Sequence, residues 1–314
     1  MLGLGLDSTS FPRPLWIFDN KYSLEMDGIT DGIQIARSAD MLADGSVASG
    51  NAFTAILWVG DAEVEWGQSS AGDWLMGNSD GSGWNFLYES KKLRVNIKIQ
   101  DPSDATQYEN VILVGPHNRM AHGYGDTTDS YSTGDGGWNM LVITFDGSAS
   151  GGAETKLYVG GGTGTDPGDL GNGVHLADTE NATNGGTALS YGAKHYSDEV
   201  DMGVGCGFQN SSNTPAYHSA TTVDNFAYFN QCLTIEELTT IYNSGEGINM
   251  LEAHASIGTG DPYTTAMVSK LKCHLRLEGG SGGAGTTLTD VSGNGNSGEI
   301  VGSPDWTSNV PATI

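Results

Sequence analysis

A chain of 314 residues is long enough for one large β domain or two smaller ones, and length alone does not choose between them. Thirteen basic residues against 38 acidic ones give a net charge of −25, which argues against a groove that tracks nucleic-acid phosphates. Forty-seven glycines with nine prolines and no Gly-X-Y period imply many tight turns and exclude a collagen-like chain.

The opening segment, MLGLGLDSTSFPRPLW, has neither a basic n-region nor an apolar run of signal-peptide length, so synthesis in a cytoplasm is expected. No stretch approaches the ~20 apolar residues of a membrane span, and no membrane insertion is expected. The cysteines, Cys206, Cys232 and Cys273, are odd in number and lack metal-ligand spacing. Cys206 and Cys232 lie among apolar residues and read as buried thiols. The sequons at Asn181 and Asn210 read as coincidences in an Asn/Ser/Thr-rich chain.

From Tyr22 onward the strand signals come in quick succession. YSLEMDG (22–28) and IQIA (33–36) are joined by the turn ITDG, and FTAILWV (53–59) turns Phe53, Ala55, Leu57 and Val59 one way. WLMG (74–77) and WNFLYE (84–89) flank a turn-rich NSDGSG. In LRVNIKI (93–99), Leu93, Val95, Ile97 and Ile99 alternate with Arg94, Asn96 and Lys98, which predicts one buried face and one wet face. VILV (111–114), WNMLVITFDG (138–147), KLYVGG (156–161) and MGVGCGF (202–208) follow, while 117–137 and 160–198 read as surface loops. Many short strands with turn signals predict an all-β jelly-roll sandwich.

The 221–245 segment, TTVDNFAYFNQCLTIEELTTIYNSG, predicts a strand followed by one short helix. Val223, Asn225, Ala227 and Phe229 alternate with Asp224, Phe226 and Tyr228. Thr234 and Glu237 form a capping box, Leu233 and Leu238 a hydrophobic staple, and Gly245 a left-handed stop. This module resembles the last strand and terminal helix of LamG-type, concanavalin A-like lectin domains. SLEMDGITDGIQI is similar to that family's opening strand pair, FTAILWV to its second buried strand, and GWNMLVITFDGS with KLYVGG to its tryptophan-led strand and hairpin. Gly160 stands where the family usually has Asp. The resemblance implies a concanavalin A-like jelly roll over 1–250, with 1–20 as an N-terminal arm and one short helix near the end of the domain.

The remaining segment, 251–314, looks like a beginning placed at the end. LKCHLRLEGGSGGAGTTLTDVSGNGNSGEIVGSPDWTSNVP resembles the stretch that normally precedes the opening strand of such domains. It could start a second, truncated domain, pack back on its own sandwich as in a circular permutation, or add a strand to a neighbouring subunit. So few large apolar side chains cannot bury a core alone, so docking on the same chain or on a neighbour is expected. A LamG-like domain followed by an SGNGN tail ending near VP also resembles structural proteins of marine tailed bacteriophages.

Candidate chemistry is sparse. Asp61, Glu63 and Glu65 could line one face of a strand, with alternate residues ~6.6 Å apart. Their order, Asp-x-Glu-x-Glu, is not the Glu-x-Asp-x-(x)-Glu of sandwich β-glucanases, and a solvated acidic loop is the simpler reading. The resemblance implies a structural Ca²⁺ held by Asp27, Asp31 and Asp224, against which stands simple turn-making by Asp27 and Asp31 beside Gly28 and Gly32. Trp66, Trp74 and Trp84 lie near turns and could stack on sugar rings, with core or hairpin packing as the competing role. Seven scattered histidines and the GGSGGAG stretch carry no ligand spacing or phosphate-binding motif.

The expected function is non-catalytic: a virion structural protein of a tailed phage, decorating the head or forming part of a tail or fibre, with a possible glycan-binding role. Its expected partners are other virion proteins, copies of itself in a homo-oligomer, and a cell-surface glycan, and its expected place is the virion surface. The alternatives are a free-standing Ca²⁺-assisted lectin and a sandwich-fold glycosidase using Glu63 and Glu65.

Overall fold

The computed structural model describes residues 21–41, 52–60, 73–78, 83–89, 92–100, 108–117, 138–149, 155–161, 174–179, 194–195, 200–209, 214–243 and 247–311. Asp61, Glu63, Glu65, Trp66, Gly245 and the 1–20 arm lie outside them. The opening strands are β1 (Ser23–Glu25) and β2 (Gly32–Ile35), followed after a 3-10 turn at Ala39–Met41 by β3 (Ala52–Gly60). Next come β4 (Asp73–Gly77), β5 (Trp84–Glu89), β6 (Lys92–Gln100), β7 (Tyr108–His117), β8 (Asn139–Asp146) and β9 (Thr155–Gly160). β10 (Val174–Thr179) and β11 (Lys194–His195) fall inside the stretch expected to be loop. β12 (Met202–Val204) and the hairpin β13 (Gly207–Gln209) and β14 (Thr214–Ala216) lead to β15 (Thr222–Phe229) and helix α1 (Ile235–Tyr242). The C-terminal segment adds α2 (Thr265–Val268), β16 (Leu271–Leu275), β17 (Thr287–Leu288), β18 (Gly298–Val301) and β19 (Asp305–Thr307).

Two antiparallel sheets face each other as a sandwich. Sheet A runs β10-β9-β8-β3-β15-β1-β19, with β16 also on β15. Sheet B runs β11-β6-β5-β4-β12-β2-β18-β17, with β7 also on β6. Alternation along β3 sends Phe53, Ala55, Leu57 and Val59 between the sheets, where Leu93, Val95 and Ile97 of β6 join them. Arg94, Asn96 and Lys98 stay half-buried on the other face of β6, as the period of two requires. Phe53 stacks on Trp84 of the opposite sheet at 5.4 Å and on Tyr228 at 5.5 Å. Trp84 is therefore a fully buried tie between the sheets.

The outer face of sheet A is also dry. Ile56 and Trp58 of β3, Met140 and Val142 of β8, and Phe229 of β15 form a second core with Leu233, Leu238, Ile241 and Tyr242 around α1. Each such side chain removed from water contributes ~1.5–3 kcal/mol before entropy is counted. The helix begins where the sequence predicts. Thr234 Oγ1 accepts from the Glu237 N–H (3.2 Å), and Glu237 Oε2 accepts from the Thr234 N–H (2.9 Å). It is capped by Asn243, which takes the left-handed conformation (φ 45°) and donates its N–H to Thr239 O, while the expected stop at Gly245 lies outside the described residues. Asparagine tolerates that region where most side chains do not.

Strand β15 departs from simple alternation. Its pairing with β3 shifts between Asp224 and Phe226, and Asn225 sits in the shift with φ 45°. Val223, Phe226 and Tyr228 consequently face the inner core, and Ala227 and Phe229 the outer one. Asp224 and Asn225 are buried.

Beyond α1 the chain crosses the outer face of sheet A, burying Ile248, Met250, Tyr263 and Met267. Then β16 pairs with β15, β18 with β2, and β19 with β1, so 251–311 extends both sheets of its own chain. The DVSGNGN stretch explains how the other edge of β16 is covered. The Asp290 carboxylate accepts from the N–H groups of His274 (2.9 Å), Ser292 (2.9 Å) and Asn296 (3.0 Å). Asn294 Nδ2 donates to Leu271 O (2.9 Å), Asn296 Nδ2 to Lys272 O (2.7 Å), and the Val291 N–H to His274 O (3.0 Å). A loop thus replaces the neighbouring strand that an exposed edge would otherwise recruit.

Burial of Asp290 works against its charge, but the hydrogen bonds from Ser292, His274 and Asn296 outweigh it and hold the pKa below the ordinary value. A carboxylate with a depressed folded-state pKa stabilises above its unfolded value and loses that contribution as pH falls through the folded one. Asp290→Ala is expected to cost roughly 2–4 kcal/mol in urea unfolding at pH 7, since it leaves backbone donors unpaired. Asp290→Asn should cost less, and its deficit should shrink below about pH 4.

Candidate binding face

The outer face of sheet B is built in rows set by register. One row runs Thr287, Glu299, Gln34, Gly203, Gly77, Asn85, Asn96 and Ile112 across β17, β18, β2, β12, β4, β5, β6 and β7. The next brings Trp74, Leu87 and Arg94 together. Glycine in the first row is a packing requirement, because a Cβ on Gly203 would lie 2.0 Å from Cys206 O. Its absence lets the β13–β14 hairpin lie on the sheet, with Cys206 and Phe208 sealed against Val200. Burial pushes the Cys206 thiol up to about 12, so it is an inert packing group.

Beside the hairpin, polar groups order one another. Asn96 Nδ2 donates to Asn85 Oδ1 (2.8 Å), and Arg94 Nε donates to Asn96 Oδ1 (3.1 Å). Asn85 is buried, and Asn96 and Arg94 are half-buried. At the hairpin's edge the Trp74 and Tyr217 rings stack with centroids 5.1 Å apart and planes 13° apart. Tyr217 holds φ 53°, and its carbonyl accepts the Trp74 N–H (3.2 Å). A bulky residue in the left-handed region costs about 1–3 kcal/mol. An aromatic pair returns about 0.5–1.5 kcal/mol beyond its burial, so the stack alone does not clearly offset the strain.

The sequence-predicted site residues are dispersed. Trp74 is largely buried between Tyr217 and the backbone at Gly207, where a Cβ would lie 2.3 Å from the indole. Trp84 offers no face to a ligand, which corrects the expectation that it stacks on a sugar: alternation turns it into the core. Asp27 and Asp31 share one turn. Asp27 Oδ1 accepts from the N–H groups of Ile29 (2.8 Å), Thr30 (2.8 Å) and Asp31 (3.1 Å). Asp31 accepts from the Asp27 N–H (3.1 Å) and from the Ser303 N–H of the C-terminal segment (2.7 Å). His218 Nδ1 lies 2.7 Å from Asp31 O and carries the ring proton there. Burial raises the Asp27 pKa, but the Thr30, Ile29 and Asp31 hydrogen bonds lower it further.

Asp224 is not part of that turn. Leu24 pairs with Val223 and the Met26 N–H reaches Thr221 O, so the turn lies beyond the start of β15, ~13 Å from Asp224 at 3.3 Å per residue. Among the described residues no three His, Cys, Asp or Glu side chains gather as metal ligands. The three aspartates therefore do not fit one Ca²⁺ site: two serve a turn, and the third is fully buried.

Asn85, Asn96 and Tyr217 were not singled out by the sequence. Matching the wet faces of WNFLYE and LRVNIKI would have brought the two asparagines together, whereas a positive φ at a tyrosine leaves no sequence signal.

No protein-family model matches this chain, and no curated protein sequence matches it significantly. Solved structures do. A candidate carbohydrate-binding protein from Bacteroides ovatus aligns at 10% identity and a TM-score of 0.46 over 94% of this chain and 62% of its own. A heptameric SAP-like pentraxin from Limulus polyphemus aligns at 9% identity and a TM-score of 0.35, covering 71% and 82%. The receptor-binding domain of botulinum neurotoxin mosaic serotype C/D aligns at 14% identity and a TM-score of 0.40, covering 76% and 44%. The chain thus spans less than two thirds of the first and third of these proteins. At such identities and scores the likeness extends to the two-sheet sandwich and no further.

Burial pushes the Asp224 pKa well above the ordinary carboxylate value, outweighing the hydrogen bond that Oδ1 accepts from the Asn225 N–H (2.7 Å). A carboxyl with a raised folded-state pKa keeps its proton in the native protein, so its contribution to stability falls as pH rises from the unfolded value toward the folded one. Asp224→Asn, with no proton to lose, should gain on the wild type by up to about 1.4 kcal/mol per pH unit across that interval. Urea unfolding at pH 5, 6, 7 and 8 reads the difference, and a stability of Asp224→Asn that falls relative to the wild type as pH rises would contradict it. His274, pushed down to about 3 by burial with Arg276 adding to the effect, is common to both proteins.

Proposed function

We propose that this chain is a non-catalytic virion structural protein of a tailed phage, exposed on the head or forming part of a tail or fibre, with a glycan-binding role. The observation that carries the non-catalytic reading is how its interior carboxylates are used. Asp31, Asp201 and Asp290 each accept backbone N–H groups, Asp201 from Arg37 (3.0 Å) and also from the Gln34 amide (2.6 Å). Such groups hold the chain in place and are poorly suited to exchange protons with a substrate. The virion reading is supported by the resemblance of a LamG-like domain followed by an SGNGN tail to phage structural proteins. The pairing of 251–311 with both sheets of its own chain is compatible with it, since a sandwich built within one chain can be repeated in copies without strand exchange. Synthesis in the host cytoplasm and a place on the virion surface belong to the same proposal.

Mass spectrometry and electron microscopy of purified particles test it. The proposal expects the chain in stoichiometric copies on the particle and no reducing sugar released from polysaccharides. Absence from particles would overturn the virion reading. Sugar release lost in Glu63→Gln with Glu65→Gln would replace it with a glycosidase.

A further inference from the structure

We propose that Asn294 is a site of spontaneous deamidation, and that its product loosens the loop covering the outer edge of β16. The site belongs to the C-terminal segment and stands whether or not the chain binds a glycan.

The chemistry needs an asparagine followed by a residue whose backbone nitrogen can approach the side-chain amide. Glycine hinders that approach least, having no Cβ. Asn172, Asn184 and Asn294 each precede a glycine, and Asn172 and Asn184 lie outside the described residues. Asn294 sits in the loop between β17 and β18, where Gly293, Asn294 and Gly295 are all exposed. A Cβ built on either glycine would meet nothing within 4 Å. The Gly295 N–H takes no part in the hydrogen bonds that organise the loop, so the attacking nitrogen is not tied down.

The Gly295 nitrogen attacks Asn294 Cγ and gives up its proton, the Cγ–Nδ2 bond breaks, and Nδ2 leaves as ammonia. The cyclic imide that remains is opened by solvent water. Opening at Cγ yields aspartate, and opening at the main-chain carbonyl yields isoaspartate, with the chain then running through Cγ. The net change is an amide and water exchanged for a carboxylate and ammonium, with no oxidant or reductant needed.

The carboxamide lost in this step is one that the fold uses. Asn294 Nδ2 donates to Leu271 O at the start of β16 (2.9 Å) and to Ser292 Oγ (2.9 Å). These bonds restrain the amide while the loop is closed, so conversion is slow and proceeds when the loop opens. A carboxylate at 294 has no hydrogen to give and turns an acceptor toward the Leu271 carbonyl. It also adds a negative charge to the loop that already holds the Asp290 carboxylate. Isoaspartate further lengthens the main chain by a methylene group shortly before Asn296. That residue serves Asp290 with its N–H (3.0 Å) and Lys272 O with its amide (2.7 Å).

The test stores the full chain in mildly alkaline buffer and maps its peptides by mass spectrometry, separating aspartate from isoaspartate. Both products should accumulate at 294, while Asn296, buried in the same loop and followed by serine, keeps its amide. Hydrogen exchange is then compared among fresh protein, the aged fraction separated by its extra charge, and Asn294→Asp. The N–H groups of His274, Ser292 and Asn296, all held by Asp290, should exchange about tenfold faster in the aged fraction and in the variant, as the loss of one hydrogen bond implies. An amide that survives at 294 in the folded chain, after the same chain in urea has converted there, overturns the site. Conversion that leaves exchange at those three N–H groups unchanged overturns its effect on the loop. The aged wild-type fraction decides the second point if Asn294→Asp fails to fold.

Discussion

Strand β15 pairs with three strands although a strand has two edges. One edge is taken along its length by β3. The other is divided: β1 pairs at Thr222 and Val223, and β16 from Phe226 to Phe229. The bulge at Asn225 falls between the two partners, where one ladder stops and the next begins. Because β1 comes from near the beginning of the described chain and β16 from its C-terminal segment, this shared edge joins the two parts of the sequence in one sheet.

Much of the remaining architecture follows from that division. Once β16 is placed, β18 and β19 reach β2 and β1, so the C-terminal segment adds to both sheets at once. The connection from α1 to β16 must cross the outer face of sheet A, which gives Trp58 and Phe229 their cover and turns a simple sandwich face into a second core. Sheet B solves its outer face differently, with glycines under a hairpin on one part and an ordered amide row on another. The division also has a polar cost, for Asp224 and His274 are fully enclosed at the junction.

The sequence made the sandwich, the capped helix and the odd position of the SGNGN segment legible, because periodicity and capping are local signals. Thr234 with Glu237, and Phe53 with its alternating neighbours, stand as expected. Asn243 as a left-handed cap was not read from the sequence because asparagine adopts that backbone only in some settings, and local pattern does not say which. The alternation read through β15 failed at Asn225, where a non-local choice of partner sets the bulge. β10 escaped notice because a Gly- and Asp-rich setting hid a strand that is stabilised chiefly by pairing with β9. Trp84 and Trp74 were legible as aromatics near turns, but which face of the sheet each occupies depends on register, and for Trp74 on a bulge before Met76.

Hydrogen exchange read amide by amide tests the central claim most directly, that 265–311 is an integral part of this chain's own sandwich. The account predicts that amides of β16 and β18 exchange in the same cooperative opening as β15 and β3, since their ladders belong to the same sheets. Exchange of β16, β18 and β19 together at a markedly lower opening free energy, with β15 still protected, would show a detachable appendage and contradict the account.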